Sequence, residues 1–331
     1  MINRRDPLDL EDMGGDDNQR MSDSTVEPTA FDGAARLSDW GVIRARGADA
    51  ASFLHSQLTQ DIATLELGQA RLAGFCSAKG RLLATFVVWR EGPEDILLAC
   101  SADLLGTTLK RLSMFVLRAR CKLSDASAEV ELLGLAGPSV QAWLGATMPD
   151  VAWQCKAHQG GQVIRLPDAL GVPRFLFAAS AGSRAPALPS LCLAAWLWLE
   201  VRSGVARVTA ATAEQFVPQM LNLELLGGVN FQKGCYPGQE VVARSQYRGT
   251  LKRRTFLVDC SAALAPGQEV FHSADPAQPA GMVVLAASLS AQRHCALVEL
   301  KIASLDDGEL RVGDTRLSPA DLPYSLATEA A

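Results

Sequence analysis

Between Asn230 and Arg254 the chain reads N-F-Q-K-G-C-Y-P-G-Q-E-V-V-A-R-S-Q-Y-R-G-T-L-K-R-R. One thiol, Cys235, stands between Gly234 and Tyr236, with Lys233 upstream and Pro237-Gly238 downstream. Pro-Gly is a turn signal. Proline is at home just ahead of a first helical turn, where its missing N–H is not needed. Residues 233–238 therefore read as a loop, and Gln239 opens a short helix. A thiol beside a lysine and a helix N-terminus is held toward its nucleophilic thiolate form. Gly234 and Gly238 let the backbone approach a ligand closely. Against this stands the ordinary fate of a single cysteine, a small buried hydrophobe. The residues alone leave both readings open.

The local charge points to an anionic partner. Six basic residues (Lys233, Arg244, Arg248, Lys252, Arg253, Arg254) face one acid, Glu240, between 233 and 254, and such an excess attracts anions. The chain as a whole is different. It carries a net charge of −5, and its first thirty residues hold eight acids against three arginines, so the body is balanced. A general nucleic-acid binder needs a basic body, and this composition excludes one. With 331 residues, 48% of them hydrophobic, the chain can bury cores for two or three domains.

The other seven cysteines (Cys76, Cys100, Cys121, Cys155, Cys192, Cys260, Cys295) are scattered singly, with no C-x-x-C and no Cys/His pair at zinc spacing. No metal site is expected. Cys76, Cys100, Cys121, Cys192 and Cys295 lie in apolar or strand-like runs and read as buried, reduced thiols. That usage fits a reducing, cytoplasmic setting. The most apolar run, residues 188–201, is too short to cross a bilayer, and no signal peptide is visible, so no membrane partner is expected.

Residues 1–35 are acidic, rich in Gly, Ser and Asp and poor in large apolar residues, and read as a disordered tail. Residues 37–46 read as a strand. Asp49 then caps a helix, with Ala50, Phe53, Leu54 and Leu58 at helical spacing. Strands follow at 70–76, 81–90 and 95–100. A helix begins at Asp103, and a strand at 118–123 closes the unit. A second pass gives strands at 129–135, 162–166 and 174–178, a helix at 138–144, and a nearly all-apolar, buried helix at 191–202. This order predicts an α+β class with helices on one face of antiparallel sheets. Beyond Arg254, short strands at 255–259, 269–271, 281–286, 296–301 and 310–312 predict a small antiparallel barrel or sandwich, and residues 318–331 a loose end. Gln219 and Asn222 are neutral hydrogen-bonding residues in an apolar approach to the cysteine loop. They either face a ligand such as a pterin or satisfy local backbone.

The run Lys233-Gly234-Cys235-Tyr236-Pro237-Gly238-Gln239-Glu240 resembles the K-G-C-Y-x-G-Q-E signature of the YgfZ family, folate-binding proteins that support iron–sulfur cluster enzymes. The similarity extends from about residue 37 to about residue 311. It implies the fold of the glycine cleavage T-protein, an aminomethyltransferase. That fold has two interlocked ferredoxin-like lobes around a central folate hole (about 36–125 and 126–250) and a C-terminal antiparallel β-barrel (251–317). It implies tetrahydrofolate or a one-carbon derivative as cofactor and Cys235 as the essential thiol, with its loop lining the hole. The implied binding set is Lys233, Gly234, Tyr236, Gly238, Gln239 and Glu240, joined by Gln219, Asn222 and Arg254. The implied partners are iron–sulfur enzymes such as a radical tRNA methylthiotransferase, with a tRNA contact through residues 244–254. Two departures stand out. By the resemblance, Ala84-Thr85 occupy the place of an acidic pair in the aminomethyltransferases, and a pterin-holding glutamate there falls near Arg202, in Val201-Arg202-Ser203-Gly204. Three readings follow: a folate-dependent factor for iron–sulfur and tRNA-modifying enzymes, a folate-dependent one-carbon transferase, and a passive tRNA-binding module.

Overall fold

The computed structural model describes residues 31–247, 251–306 and 308–326. The chain runs β1 (Gly33–Arg36), β2 (Trp40–Arg46), α1 (Ala50–Gln57), β3 (Ala70–Cys76), β4 (Leu82–Gly92), β5 (Asp95–Ser101), α2 (Ala102–Ser113) and β6 (Lys122–Asp125). It continues through β7 (Val130–Ala136), α3 (Pro138–Leu144), β8 (Cys155–His158), β9 (Gly161–Ala169), β10 (Val172–Ser180), α4 (Leu193–Arg202) and α5 (Gln239–Tyr247). It ends in β11 (Arg253–Cys260), β12 (Glu269–His272), β13 (Asp275–Ser290), β14 (Arg293–Lys301), β15 (Leu310–Val312) and β16 (Thr315–Ala320).

The first lobe is a five-stranded antiparallel sheet in the order β3-β4-β5-β2-β6. Four of these strands, β4-β5-β2-β6, have the ferredoxin-like order, and β3 is added at the edge. The second lobe repeats the plan as β1-β7-β10-β9-β8. Its fourth ferredoxin-like position is filled by β1, the first strand among the described residues, paired antiparallel with β7 from Gly33↔Ala136 to Arg36↔Leu133. The two lobes are thus interlocked: the chain enters in the second lobe, crosses to build the first, and returns.

The helices sit where the apolar stripes require. Helix α2 buries Leu104, Leu105, Thr108 and Leu112 and packs on β2. Helix α4 buries Ala195, Trp196, Trp198, Leu199, Glu200 and Val201, because it is wedged against β13 as well as the second sheet. Trp196 lies so close on β7 that a Cβ at Gly134 would stand 2.3 Å from its ring. Six strands form the C-terminal closed barrel, β11-β14-β13-β12-β15-β16, with β16 pairing back onto β11 from Leu257↔Ala320 to Cys260↔Leu317.

Several boundaries differ from the expected ones. The acidic tail was expected to reach residue 35, but Phe31 is buried and Asp32 accepts hydrogen bonds from the Ser139 amide (2.8 Å) and hydroxyl (2.5 Å), anchoring α3. Residues 1–30 of that tail lie outside the described residues. The single strand expected over 37–46 begins only at Trp40, because residues 33–36 form a separate strand in the other lobe. Asp49 does not cap α1 with its side chain. Its carboxylate binds the Arg120 amide (2.7 Å) and guanidinium instead. The expected loose end from 318 begins too early. Strand β16 runs to Ala320, and the Tyr324 hydroxyl donates to the Gly204 carbonyl (2.9 Å).

The weld between lobes and barrel is a buried ion pair. Arg254, at the start of β11, binds Glu224, each side chain only 4% exposed. It also donates to the Gln219 carbonyl (3.2 Å) and Asn222 Oδ1 (3.3 Å). Removing one member leaves an uncompensated buried charge. Arg254→Met is therefore expected to cost about 3–5 kcal/mol in urea unfolding. Adding Glu224→Leu is expected to return most of that loss, and a double variant as unstable as the single one would contradict this account.

Candidate functional site

The cysteine loop is held on the segment that follows α1. The Thr59 hydroxyl donates to the Gly228 carbonyl (2.6 Å) and the Asn230 amide to the Thr59 carbonyl (2.9 Å). Buried Lys233 then sends its ammonium to the carbonyls of Leu58 (2.7 Å) and His55. The free carbonyls at a helix C-terminus suit a cation, which is why a lysine can be buried here. The same ammonium lies 4.8 Å from the ring centre of Tyr236, which is itself buried. Burial lifts the Tyr236 phenol above its usual range. On the far side, Gly238 has φ 79°, and a Cβ there would stand 2.4 Å from the Ser77 carbonyl oxygen. Only glycine accepts that conformation and that approach. The loop is thus clamped between the end of α1 and the β3–β4 turn, and Cys235 is exposed between the two clamps. Gln239 begins α5, as the turn signal predicts, and Glu240 is exposed in its first turn.

Beside Gly234 stands an imidazole. His55, near the end of α1, meets Asp61 through Nδ1 (2.8 Å), and its Nε2 lies 3.5 Å from where a Gly234 Cβ would be. Asp61 is held below the usual carboxylate range. Burial opposes this, but the Thr64 amide (3.1 Å) and His55 outweigh it.

A second feature lies between the lobes. A narrow, largely apolar cavity is lined by Trp40, Thr85 and Phe86 from the first lobe. Trp153, Arg174, Glu200 and Arg207 close its other side. Arg207 is gripped by Glu200 (2.8 and 3.2 Å), Asp39 (2.5 Å) and the Ser101 hydroxyl (3.1 Å), and stacks on Trp40 at 4.8 Å. Burial works against its charge, but the two carboxylates outweigh burial and raise its pKa. Arg174 is different. Fully buried, it is pulled down to about 10 by desolvation, so it remains charged at neutral pH. Among the described residues it makes one long hydrogen bond, to the Pro167 carbonyl (3.4 Å), and its Nε has no acceptor.

The expected site residues fall into two groups. Cys235, Lys233, Gly234, Tyr236, Gly238, Gln239 and Glu240 form one loop and helix start, but none of them lines the cavity. The β3–β4 turn that touches Gly238 and the Thr85 wall are five residues apart along the hairpin, about 17 Å of extended chain. The loop and this cavity are separate features of the fold. The expectation for Gln219, Asn222 and Arg254 is corrected. Gln219 donates to the Val242 carbonyl (2.8 Å), Asn222 to the Thr255 carbonyl (2.8 Å), and Arg254 is paired with Glu224. Each is buried; Gln219 ties to α5, and Asn222 and Arg254 hold the barrel to the core. The basic run is likewise spent inward. Lys233 and Arg254 are buried and Arg253 is paired with Glu299, while Arg244 and Lys252 are exposed and Arg248 lies outside the described residues. Cys192, expected to be buried, is exposed at the start of α4. Among the described residues, no cluster of His, Cys, Asp and Glu could hold a metal ion, and no helix is long and apolar enough to cross a membrane.

Sequence reasoning missed Arg174, Arg207, Glu200 and the His55–Asp61 pair. Arg174 and Arg207 sit in strand and loop contexts without a motif, and only the docking of the two lobes brings them together.

Interlocked ferredoxin-like lobes with a closed barrel define the class of the glycine-cleavage T fold. A family model of the GCVT N-terminal domain matches residues 33–177. The glycine cleavage system aminomethyltransferase T from Bartonella henselae superimposes with a TM-score of 0.69 over 89% of this chain and 87% of that one, at 19% identity. Within this class the relatives are specific. The tRNA-modifying protein YgfZ of Edwardsiella ictaluri is 34% identical, and that of Serratia proteamaculans 31%; each match covers 88% of this chain and 92% of the relative. The Photorhabdus laumondii protein of the same name is 30% identical over 93% and 96%. The chain belongs to the YgfZ family.

The buried lysine gives the loop a pH signature. Burial pulls Lys233 from 10.5 to about 8, opposed by the charges of Asp61 and Cys235. A depressed folded-state pKa means that the contribution of Lys233 to stability is fully present above the unfolded value and is lost as pH falls through about 8. Relative to Lys233→Met, the parent protein is expected to gain on the order of 1 kcal/mol per pH unit between pH 8 and 10. Urea midpoints measured across that range check this, and parallel curves for the two proteins would refute it.

Proposed function

We propose that this protein supports tRNA modification by iron–sulfur enzymes, with Cys235 as its working thiol and a tetrahydrofolate bound in the inter-lobe cavity. The observation that carries the reading is Cys235 itself, exposed on a loop pinned at Lys233 and at Gly238. A nucleophile gains from such fixation, because a rigid support holds the reacting atom in place. The end-to-end similarity to tRNA-modifying YgfZ proteins supplies the process. The client chemistry fits a radical-type tRNA methylthiotransferase, and such a role belongs in the cytoplasm.

The cavity residues fit a folate. Trp40, Trp153 and Phe86 offer apolar faces to a flat ring, and the Arg174 guanidinium has donors unmet by protein acceptors. Bound there, a reduced folate would supply a carrier for one-carbon units. Arg174 would bind its acceptor edge, and the Glu200–Arg207–Asp39 network would keep the wall in place. Aminomethyl transfer, the alternative reading, lacks its acid. Thr85 stands at that place, and its hydroxyl accepts the Val208 amide (3.0 Å). Glu200 is committed to Arg207.

Two measurements test the proposal. Cys235→Ser is expected to leave a deletion strain without its methylthiolated tRNA nucleosides, as read by mass spectrometry, while the variant protein stays folded. Full rescue by Cys235→Ser would end the assignment of the thiol. Calorimetry is expected to show tetrahydrofolate binding at micromolar scale, roughly −8 kcal/mol, weakened at least about tenfold, or 1.4 kcal/mol, by Arg174→Leu. Absence of binding at millimolar folate would remove the cofactor from the scheme.

A further inference from the structure

Cys235 does not stand alone on its face. His55 presents Nε2 to the backbone directly preceding it, 3.5 Å from the Gly234 Cβ position. Its other nitrogen, Nδ1, is 2.8 Å from Asp61 Oδ1. A carboxylate on Nδ1 keeps the proton there and leaves Nε2 as the acceptor. Among the described residues Nε2 has no hydrogen-bond partner, and the side chain is only 22% exposed. Lys233 fixes the same turn by donating to the His55 carbonyl. A nucleophile, a base packed against the residue before it and a third group that orients the base are the parts of an activated-thiol site.

We propose that His55, oriented by Asp61, is the proton acceptor for Cys235. The inference rests on the reading of Cys235 as the working thiol and adds the group that turns it on. In the step, the S–H bond of Cys235 breaks and its proton passes to His55 Nε2, giving an imidazolium whose Nδ1–H stays on Asp61. The electron pair remains on sulfur as a thiolate. No oxidant or reductant is consumed, and the proton returns by the same route when the thiol is regenerated. The charged and titratable groups around the pair are Asp61 on the same turn, Lys233 and Tyr236 on the loop, Cys76 on β3 behind Tyr236, and Arg71, which binds the Asp61 carbonyl. The Asp61 carboxylate favours the imidazolium that forms, and the Lys233 ammonium favours the thiolate. The arrangement therefore supports a charged pair in which either partner alone would be weaker.

The test reads the thiol directly, without folate, tRNA or a client enzyme. In full-length protein carrying Cys192→Ser, the other exposed thiol is gone and the aromatic disulfide DTNB reports Cys235. Its thiolate attacks one reagent sulfur, forms the mixed disulfide and releases the coloured thiolate half. H55Q is expected to lower the rate at pH 7 about tenfold and to meet the parent rate in strong alkali, where thiolate forms unaided. D61N is expected to lower the neutral rate less, in the same direction. Thermal melting of both variants within a few degrees of the parent keeps the comparison on chemistry. Equal profiles for parent and H55Q, or a drop by the same factor at every pH, would overturn the role of His55. A parent Cys235 that reacts no faster than an unfolded-chain thiol would overturn both this role and the working-thiol reading. Absence of folate binding, or full rescue of the deletion strain by Cys235→Ser, would count against the proposed function and leave the chemistry of the His55–Cys235 pair as measured here.

Discussion

A buried ammonium must be surrounded by oxygen, and Lys233 meets that requirement only at the end of α1. Its donors go to the carbonyls of His55 and Leu58, groups that a helix leaves without intrahelical partners. Each side solves the other's problem. The helix end gains a cation and the lysine gains acceptors. The consequence is positional, because the residue two places from Lys233 is Cys235 and the residue contributing one carbonyl is His55. The thiol and the imidazole are registered against each other by one buried charge. A lysine-to-methionine change could relieve the desolvation yet would loosen that register.

The second constraint is the crossing of the chain between lobes. Strand β1 completes the second sheet before the first one is built, so neither sheet is finished by a contiguous segment. The seam this creates is closed by Arg207, which reaches Asp39 and Ser101 in the first lobe and Glu200 on α4. A buried guanidinium with two carboxylates is a well-compensated charge. Arg174, a few ångströms from Trp196 on the same wall, is not compensated in this way. Of two buried arginines on one cavity, one is consumed by structure and the other keeps donors for something else.

Much of the local structure was legible in the chain. The helix at 138–144, the turn before Gln239, the antiparallel texture of the C-terminal third and the order of both lobes follow from periodicity and turn residues. What was not legible depends on long-range pairing. Residues 33–36 are too short and too plain (G-A-A-R) to declare themselves a strand, and only β7 makes them one. Strand β16 closes the barrel by pairing across nearly sixty residues with β11, a contact with no local signature. The polar residues before the loop were ambiguous for the same reason. Gln219 and Asn222 are equally suited to a ligand or to orphan carbonyls, and the carbonyls that claim them belong to α5 and β11. The basic run misled because charge counted along the chain says nothing about which side chains turn inward. Glu224 and Glu299 lie too far away in sequence to enter that count.

The β3–β4 hairpin is the physical link between the two halves of the site. Its turn supports Gly238, its edge strand β3 hands Gly74 to Thr59 through paired hydrogen bonds, and the middle of β4 supplies Thr85 and Phe86 to the cavity. A ligand that displaced β4 at the cavity would move a strand whose other end touches the cysteine loop. Between Thr85 and Gly80 the β3–β4 pairing shifts register, from Phe75↔Ala84 to Cys76↔Leu82. Thr85, on the same strand, accepts the Val208 amide through its hydroxyl and so keeps β4 tied to the segment that carries Arg207.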